Sequence, residues 1–392
     1  MINKSVANIS RSLCSGCMMC GDICSKHAIS FPLSEGFWYP KVDEEKCVNC
    51  GLCTKKCPVI NVSQLKGNAP LRCYGAKTKD EKVRFDSTSG GFFTELALEW
   101  LADEGFCCGA VYDDNNNVVH YIGNTLDDIK RLRQSKYVQS NISGQFFKVK
   151  KLLLNGNKVL FCGTPCQVEA LNHYLGKEYE NLLTLDFICL GICSPLVFSK
   201  YKSMLEKKYK SKISKVWFKN KTEGWRSIGT KVVFENGKEY FRTGNRDLFM
   251  ISFVGDCISM RENCQNCKFR RIPHNSDITV GDFWGIENVN SQMDDNKGIS
   301  AVLLNSPKGI CWFDKIKDRL DYFETNIQSV VSGNFSILKP KPAGKHRKDF
   351  LCSLDKMSLE QSMRRYSSYS GINMLKIEWN HLKYVIKQYL KK

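Results

Sequence analysis

From about Cys73 onward, short apolar runs of strand length alternate with stretches in which apolar side chains recur every three or four residues. In "STSGGFFTELALEWLADEG", residues Ser89, Gly90 and Gly91 precede a stripe of Phe92, Phe93, Leu96, Ala97, Trp100 and Leu101, which predicts a helix start. "FCCGAVYD" follows as a strand. In "KVLFCGTPCQVEAL" the buried-strand run Val159–Cys162 meets Gly163, with Thr164 as N-cap and Pro165 at the first helical position. "LLTLDFICLGICSP" predicts a strand running into a loop, and the segment around Gly281 and Asp282 predicts a short strand ending in a turn. Upstream, "AISFPLSEGFWYPKVD" at 28–43 predicts a hairpin. At the other end, Leu375, Trp379, Leu382, Ile386 and Tyr389 recur at helical steps, with Lys376, Lys383, Lys387 and Lys391 on other faces. The expected packing is against the body or another subunit, and the sharper alternative is an anionic membrane.

The alternation predicts an α/β body. At 392 residues, with 42% hydrophobic and 25% charged residues, the chain has room for two or three domains and a sizeable core. No apolar run approaches the roughly 18 residues of a spanning helix, and "MINKSVANIS" has no signal-like core. A cytoplasmic protein is therefore expected, with peripheral contact at the inner membrane face through the tail as its one membrane option. The net charge of +18 would attract an acidic protein, anionic lipid or nucleic acid. No nucleic-acid motif accompanies it, and lysines spread over solvated faces explain it equally well.

Twenty cysteines change the picture. A disulfide framework belongs to small secreted chains, so clustered thiols here point to metal. Two segments read Cys-x2-Cys-x2-Cys-x3-Cys: Cys14, Cys17, Cys20, Cys24, and Cys47, Cys50, Cys53, Cys57, the second closed by Pro58 where the first has Ser25. This is the run of bacterial two-cluster ferredoxins, in which the fourth cysteine serves the other cluster. The expected ligand sets are Cys14, Cys17, Cys20 and Cys57, and Cys47, Cys50, Cys53 and Cys24. Gly16, Gly21 and Gly51 let backbone amides approach cluster sulfurs. Zinc sites usually pair cysteines across a longer gap, which disfavours zinc.

Two clusters alone are a wire, and further cysteines mark where it might lead. Cys166 falls in a predicted first helical turn, where a lowered pKa would suit a ligand, a redox thiol or a proton donor. It is the candidate catalytic residue, with a packed small side chain as the plain alternative. Cys264 and Cys267 form a Cys-x2-Cys pair that needs two more donors, available from Cys257, Cys189, Cys193 or Cys166. A zinc knuckle or unligated thiols would also account for them.

The order "SGG" (89–91), "SKYVQS" (135–140), "GTPCQ" (163–167), "CLGICSP" (189–195), "RENCQNCKF" (261–269), "SDITVGDFWGI" (276–286) and "KGISAVLLNSPKG" (297–309) resembles the coenzyme F420 hydrogenase/dehydrogenase beta-subunit family. The resemblance covers residues 10 to about 310. It implies an α+β ferredoxin-like domain over residues 1–65 and an α/β flavin-binding domain over 70–345, while the helical tail over 350–392, a separate unit read from its own apolar periodicity, lies outside the family core. It further implies FAD, or else FMN, held near Ser89, Gly90, Gly91, Gly163, Thr164, Pro165, Cys166 and Gln167, and a third 4Fe-4S cluster on Cys264 and Cys267. The function implied is an iron-sulfur flavoprotein oxidoreductase acting on a small-molecule electron acceptor or donor, with a ferredoxin or reductase subunit as redox partner. Many bacterial relatives with similar tails accompany polysaccharide assembly, which puts coenzyme F420 itself in question as the substrate. The alternative is a non-catalytic electron-transfer subunit docked on a separate enzyme.

Anaerobically purified protein should be brown and carry about eight irons in its N-terminal region. A colourless, zinc-loaded product would contradict the cluster assignment.

Overall fold

In a computed structural model the structure describes residues 4–64, 72–369 and 371–389. Eleven strands longer than two residues organise it: β1 Arg72–Thr78, β2 Phe106–Tyr112, β3 Val118–Gly123, β4 Val159–Cys162, β5 Leu182–Phe187, β6 Ile213–Asn220, β7 Gly229–Phe234, β8 Glu239–Thr243, β9 Ile278–Asp282, β10 Ser300–Leu304 and β11 Leu320–Thr325. Eight form one sheet in the order β11-β1-β10-β9-β5-β4-β2-β3. Its centre, β2, β4, β5 and β9, is parallel, while β3, β10, β1 and β11 join antiparallel at the flanks. β6, β7 and β8 make a separate antiparallel sheet.

The central strands are apolar on both faces because helices cover both. Leu160, Leu183 and Cys107 meet the helices Phe92–Ala102, Leu126–Leu132 and Pro307–Ile316. Their immediate neighbours Val159, Phe161, Leu182 and Cys108 point the other way, to helices Gln145–Leu154 and Pro165–Leu175. This period-two alternation makes three layers and matches the α/β expectation, including strand β4 at its predicted bounds and both predicted helix starts.

The cysteine-rich N-terminal region shares its core with this body. The expected hairpin is present, with Ile29–Ser30 paired to Lys41–Val42 and Leu33–Ser34 to Phe37–Trp38. Phe37 and Tyr39 pack in the same apolar cluster as Val138, Phe198 and Phe249, and Met18 and Met19 pack with Cys108 and Phe146. At the region's end the Ser63 N–H donates to the Glu169 carboxylate at 3.1 Å, which also accepts from Arg271 and Asn275 at 3.1 and 2.9 Å. Burial alone would raise the Glu169 pKa, yet these donors together with His173 hold it at about 2.

Arg261 fastens the region most firmly. Its side chain is fully buried. Nε donates to the Cys14 carbonyl at 2.9 Å, and Nη1 to the Trp38 carbonyl and the Gln139 amide oxygen, both at 3.2 Å. The guanidinium lies 4.1 Å from the Tyr39 ring centroid. Gly16 leaves the room this needs: a Cβ there would meet the Gln139 amide and the Arg261 guanidinium.

Two expectations about the C-terminus are corrected. Helices Arg347–Ser353 and Leu359–Tyr366 bury Phe350, Leu351, Leu354, Leu359 and Met363 in the body's core, so residues 347–366 are not a separate tail. Only the helix Gly371–Tyr389 stands apart, and its apolar stripe faces outward, with Leu375 73%, Trp379 58% and Leu382 49% exposed. One flank of the helix is tied to the body where Glu378 pairs with Arg246, whose Nη2 lies 2.6 Å away, and Ile377, Asn380 and His381 on its other side line the large cavity described below. The side chains of Ile386, Tyr389, Lys387 and Lys391 lie outside the described residues.

Replacing Arg261 with leucine should destabilise the protein by about 3 kcal/mol, since the Cys14 and Trp38 carbonyls lose this donor and the Gln139 amide oxygen keeps only the Trp38 N–H. Arg261→Lys should not restore it, because an ammonium cannot span the same acceptors. The midpoint for loss of visible absorption in anaerobic urea checks this, and an unchanged midpoint for Arg261→Leu would contradict it.

Candidate functional site

A cavity of about 1150 Å³ opens between the two sheets and the N-terminal region. It exceeds the roughly 300–1,000 Å³ of common ligand pockets. Both glycine turns reach it: Ser89 and Gly91 from one side, Gly163, Thr164, Cys166 and Gln167 from another. Ser15, Gly16 and Cys17 of the first cysteine run also line it, as do Cys189 and the Lys136–Ser140 stretch.

The two turns are not equivalent. Gly91 stands at φ 89° as the N-cap of Phe92–Ala102 and supplies no side-chain cap, so the first amides of that helix meet the cavity beside Phe92 and Phe93. At the second turn the Gly163 N–H already donates to the Leu185 carbonyl at 3.1 Å, and the Thr164 N–H to Gln167 Oε1 at 2.9 Å. Gln167 in turn donates to Ser140 at 3.0 Å. This turn is therefore a rigid wall, with the Gly163 and Thr164 amides already engaged. Ser89 spends its hydroxyl on the Ile299 carbonyl at 2.6 Å. Gly90 lies behind the cavity lining, where a Cβ would strike the Ala76 carbonyl and the Ser300 amide. Pro165 likewise faces a smaller neighbouring cavity.

That neighbouring space, about 30 Å³, is lined by Cys166, Cys189, Cys264 and Cys267. Of the donors left open by the sequence, Cys166 and Cys189 thus join the Cys-x2-Cys pair. Cys193 instead donates to Ser259 at 3.1 Å, and Cys257 lies by Lys341 and Asp256. Burial raises all four thiols, and each of Cys166, Cys189 and Cys264 is raised further by its neighbours, Cys189 to about 12 and Cys264 to about 11. The lowered pKa expected for Cys166 is overturned: desolvation and the Cys267 and Cys189 sulfurs outweigh the helix terminus and the Thr164 hydroxyl 3.0 Å away.

The surroundings suit an anionic metal cluster. Arg270 donates to the Leu190 carbonyl at 2.7 Å and sets its positive charge against Cys189, Cys264 and Cys267. His274 borders the same space, with Nδ1 held 2.9 Å from Asp186 and a buried Nε2 that has no protein partner. Among the described residues, no three Cys, His, Asp or Glu side chains close on a single ion.

In the N-terminal region Cys14, Cys17, Cys20 and Cys57 border one small cavity of about 20 Å³, which is the first expected ligand set. The mutual effect of their thiols and burial push Cys17 up to about 12. Arg261 places Nη2 3.6 Å from Cys14 Sγ, and its other partners are neutral oxygens and aromatic rings. A buried cation without a carboxylate needs an anion nearby, and a cluster-bound Cys14 thiolate supplies one. For the second set, Cys53 lies in the helical turn Leu52–Lys55, which packs against the turn Met19–Asp22 just before Cys24, while Cys47 and Cys50 precede it.

Across the cavity stands a group that no spacing marks. Lys219 is ion-paired with Asp282 and lies 5.7 Å from the Tyr137 ring and 5.8 Å from the Trp284 ring. Burial alone would lower its pKa, but Asp282 and Tyr137 hold it above its ordinary value. Trp284 stacks on buried Trp225 at 4.4 Å and 7°, and Trp225 Nε1 donates to Asp282 at 3.3 Å. The blocks "SKYVQS" and "SDITVGDFWGI" contain Tyr137, Asp282 and Trp284, which is the signal that could have found them.

Two segments of the chain match known families. Residues 13–61 match the 4Fe-4S dicluster domain, and residues 156–329 match the C terminus of the coenzyme F420 hydrogenase/dehydrogenase beta subunit. A chain of the F420-reducing [NiFe] hydrogenase complex from Methanosarcina barkeri aligns at 17% identity, covering 76% of this chain and 93% of that one. Its TM-score of 0.38 is too low to carry an argument. No curated protein matches.

In iron-depleted protein near neutral pH, the exposed Cys50, Cys311 and Cys352 should alkylate first and Cys166 among the last, because burial and a raised pKa keep its thiol protonated. Mass spectrometry of the labelled peptides checks the order. Fast labelling of Cys166 would restore the activated-thiol reading.

Proposed function

We propose that this chain, whose residues 13–61 match a 4Fe-4S dicluster domain and whose residues 156–329 match the C terminus of the coenzyme F420 hydrogenase/dehydrogenase beta subunit, is an iron-sulfur flavoprotein oxidoreductase. It moves electrons between ferredoxin-type clusters and a two-electron organic partner through a flavin in the 1150 Å³ cavity. The observation that carries this reading is convergence: Cys17 of the dicluster region, Cys166 and Cys189 of the thiol quartet and the Gly91 turn all border the same cavity. A flavin bound there supplies the exchange between one-electron and two-electron chemistry.

The residues divide the work by position. The uncapped helix start at Gly91–Phe93 offers amides and a positive dipole end to a phosphate. Gly163, Thr164 and Gln167 form a fixed wall, and Trp284 and Tyr137 give the far end flat apolar surfaces. The volume of the cavity favours the dinucleotide FAD over FMN. Lys219 holds a proton at Nζ beside Asp282, where two-electron reduction of an organic molecule would need one. Cys166 changes role: with Cys189, Cys264 and Cys267 it is a ligand of a third 4Fe-4S cluster, and His274 Nε2 and Arg270 face that cluster's charge. The positive net charge would draw an acidic ferredoxin to the dicluster end.

Anaerobic reconstitution with FAD should give about one flavin and about twelve irons per chain. Cys189→Ser and Cys264→Ser should each lose about four irons and keep the flavin, whereas Cys193→Ser and Cys257→Ser should keep both. Absence of flavin after reconstitution with FAD and with FMN would end this reading. Oxidation of NAD(P)H, reduced ferredoxin or reduced coenzyme F420 against dyes would separate an enzyme from a relay subunit.

A further inference from the structure

We propose that the helix Gly371–Tyr389 docks the protein on an anionic lipid surface and brings the rim of the large cavity to that surface. The inner face of the helix is committed to the body. Glu378 accepts from Arg246 Nε and Nη2 at 3.1 and 2.6 Å, and the chain leading into the helix is pinned where Ser368 donates to Asp256 from its amide at 2.8 Å and its hydroxyl at 3.1 Å. Ile377, Asn380 and His381 line the cavity.

The outer face is apolar and basic together. Leu375, Trp379 and Leu382 stand 73%, 58% and 49% exposed, a concentration of large apolar surface that water does not favour. Lys376 and Lys383 flank them, and Lys383 Nζ lies 5.3 Å from the Trp379 ring centroid. The sequence adds Lys387, Lys391 and Lys392, and the one acidic residue in this stretch, Glu378, is spent on Arg246. Leucines and a tryptophan beside ammonium groups match the boundary between acyl chains and anionic headgroups.

A second copy of the chain is the weaker occupant. Each copy carries +18, so two basic faces would repel, and three side chains bury far less than the roughly 1,200 Å² of a stable interface. Lipid supplies the opposite charge and needs no shape complementarity. Docking in this orientation follows from the two faces of one helix and does not depend on which cofactor the cavity holds.

Full-length protein, kept anaerobic, should sediment with vesicles of phosphatidylcholine and phosphatidylglycerol but not with phosphatidylcholine alone, and added salt should release it. Trp379→Ser combined with Leu382→Ser should weaken binding roughly tenfold or more while leaving the visible absorption unchanged, since both side chains are exposed. Lys376→Glu combined with Lys383→Glu should weaken it similarly through charge alone. Failure of the wild-type chain to bind the anionic vesicles, or equal binding by both variants, would overturn the proposal. So would a dimer in analytical ultracentrifugation that Trp379→Ser with Leu382→Ser dissociates, because a second copy would then cover this face.

Discussion

The arrangement of this molecule depends on a positive charge that water cannot reach. Arg261 holds the Cys14 and Trp38 carbonyls and the Gln139 amide, lies over Tyr39, and faces the Cys14 sulfur. Taking a guanidinium out of water costs several kcal/mol unless its donors and its charge are both answered. The oxygens answer the donors. A cluster-bound Cys14 sulfur 3.6 Å from Nη2 would answer the charge, and assembly of a cluster there would then favour docking of the N-terminal region.

Arg261 also begins the loop that carries Cys264 and Cys267, and the Cys264 amide donates back to the Arg261 carbonyl at 3.1 Å. One residue therefore positions a ligand of the dicluster region on its side chain and the thiol quartet on its backbone. The cavity lies against both, bordered by Cys17 and by Cys166 and Cys189. An electron path between them needs no domain movement. On the far side, the ion pair of Lys219 and Asp282 and the stacked Trp225 and Trp284 are fixed by one another, which gives the cavity a rigid, protonated end.

What was legible in the sequence was what short spacing enforces. Three cysteines within seven residues can hardly avoid a shared site, and a strand run followed by Thr164 and Pro165 can hardly avoid starting a helix. Contacts between distant segments were not legible: Arg261 to Cys14 spans 247 residues and Asp186 to His274 spans 88. Nor was the reason for Gly90 legible, since the close approach of its backbone to Ala76 and Ser300 joins distant segments. Cys166 misled because a helix terminus favours a thiolate only where burial and neighbouring sulfurs do not oppose it. The tail's stripe was visible, but the tie between Glu378 and its distant partner Arg246 was not.

In the proposed function, the dicluster region and the quartet of Cys166, Cys189, Cys264 and Cys267 are centres of one wire meeting at one cavity. Electron paramagnetic resonance of the dithionite-reduced protein tests it directly. The account predicts signals broadened by coupling between neighbouring clusters, with one component removed by Cys264→Ser. Spectra of magnetically isolated clusters, unchanged by Cys264→Ser, would contradict it.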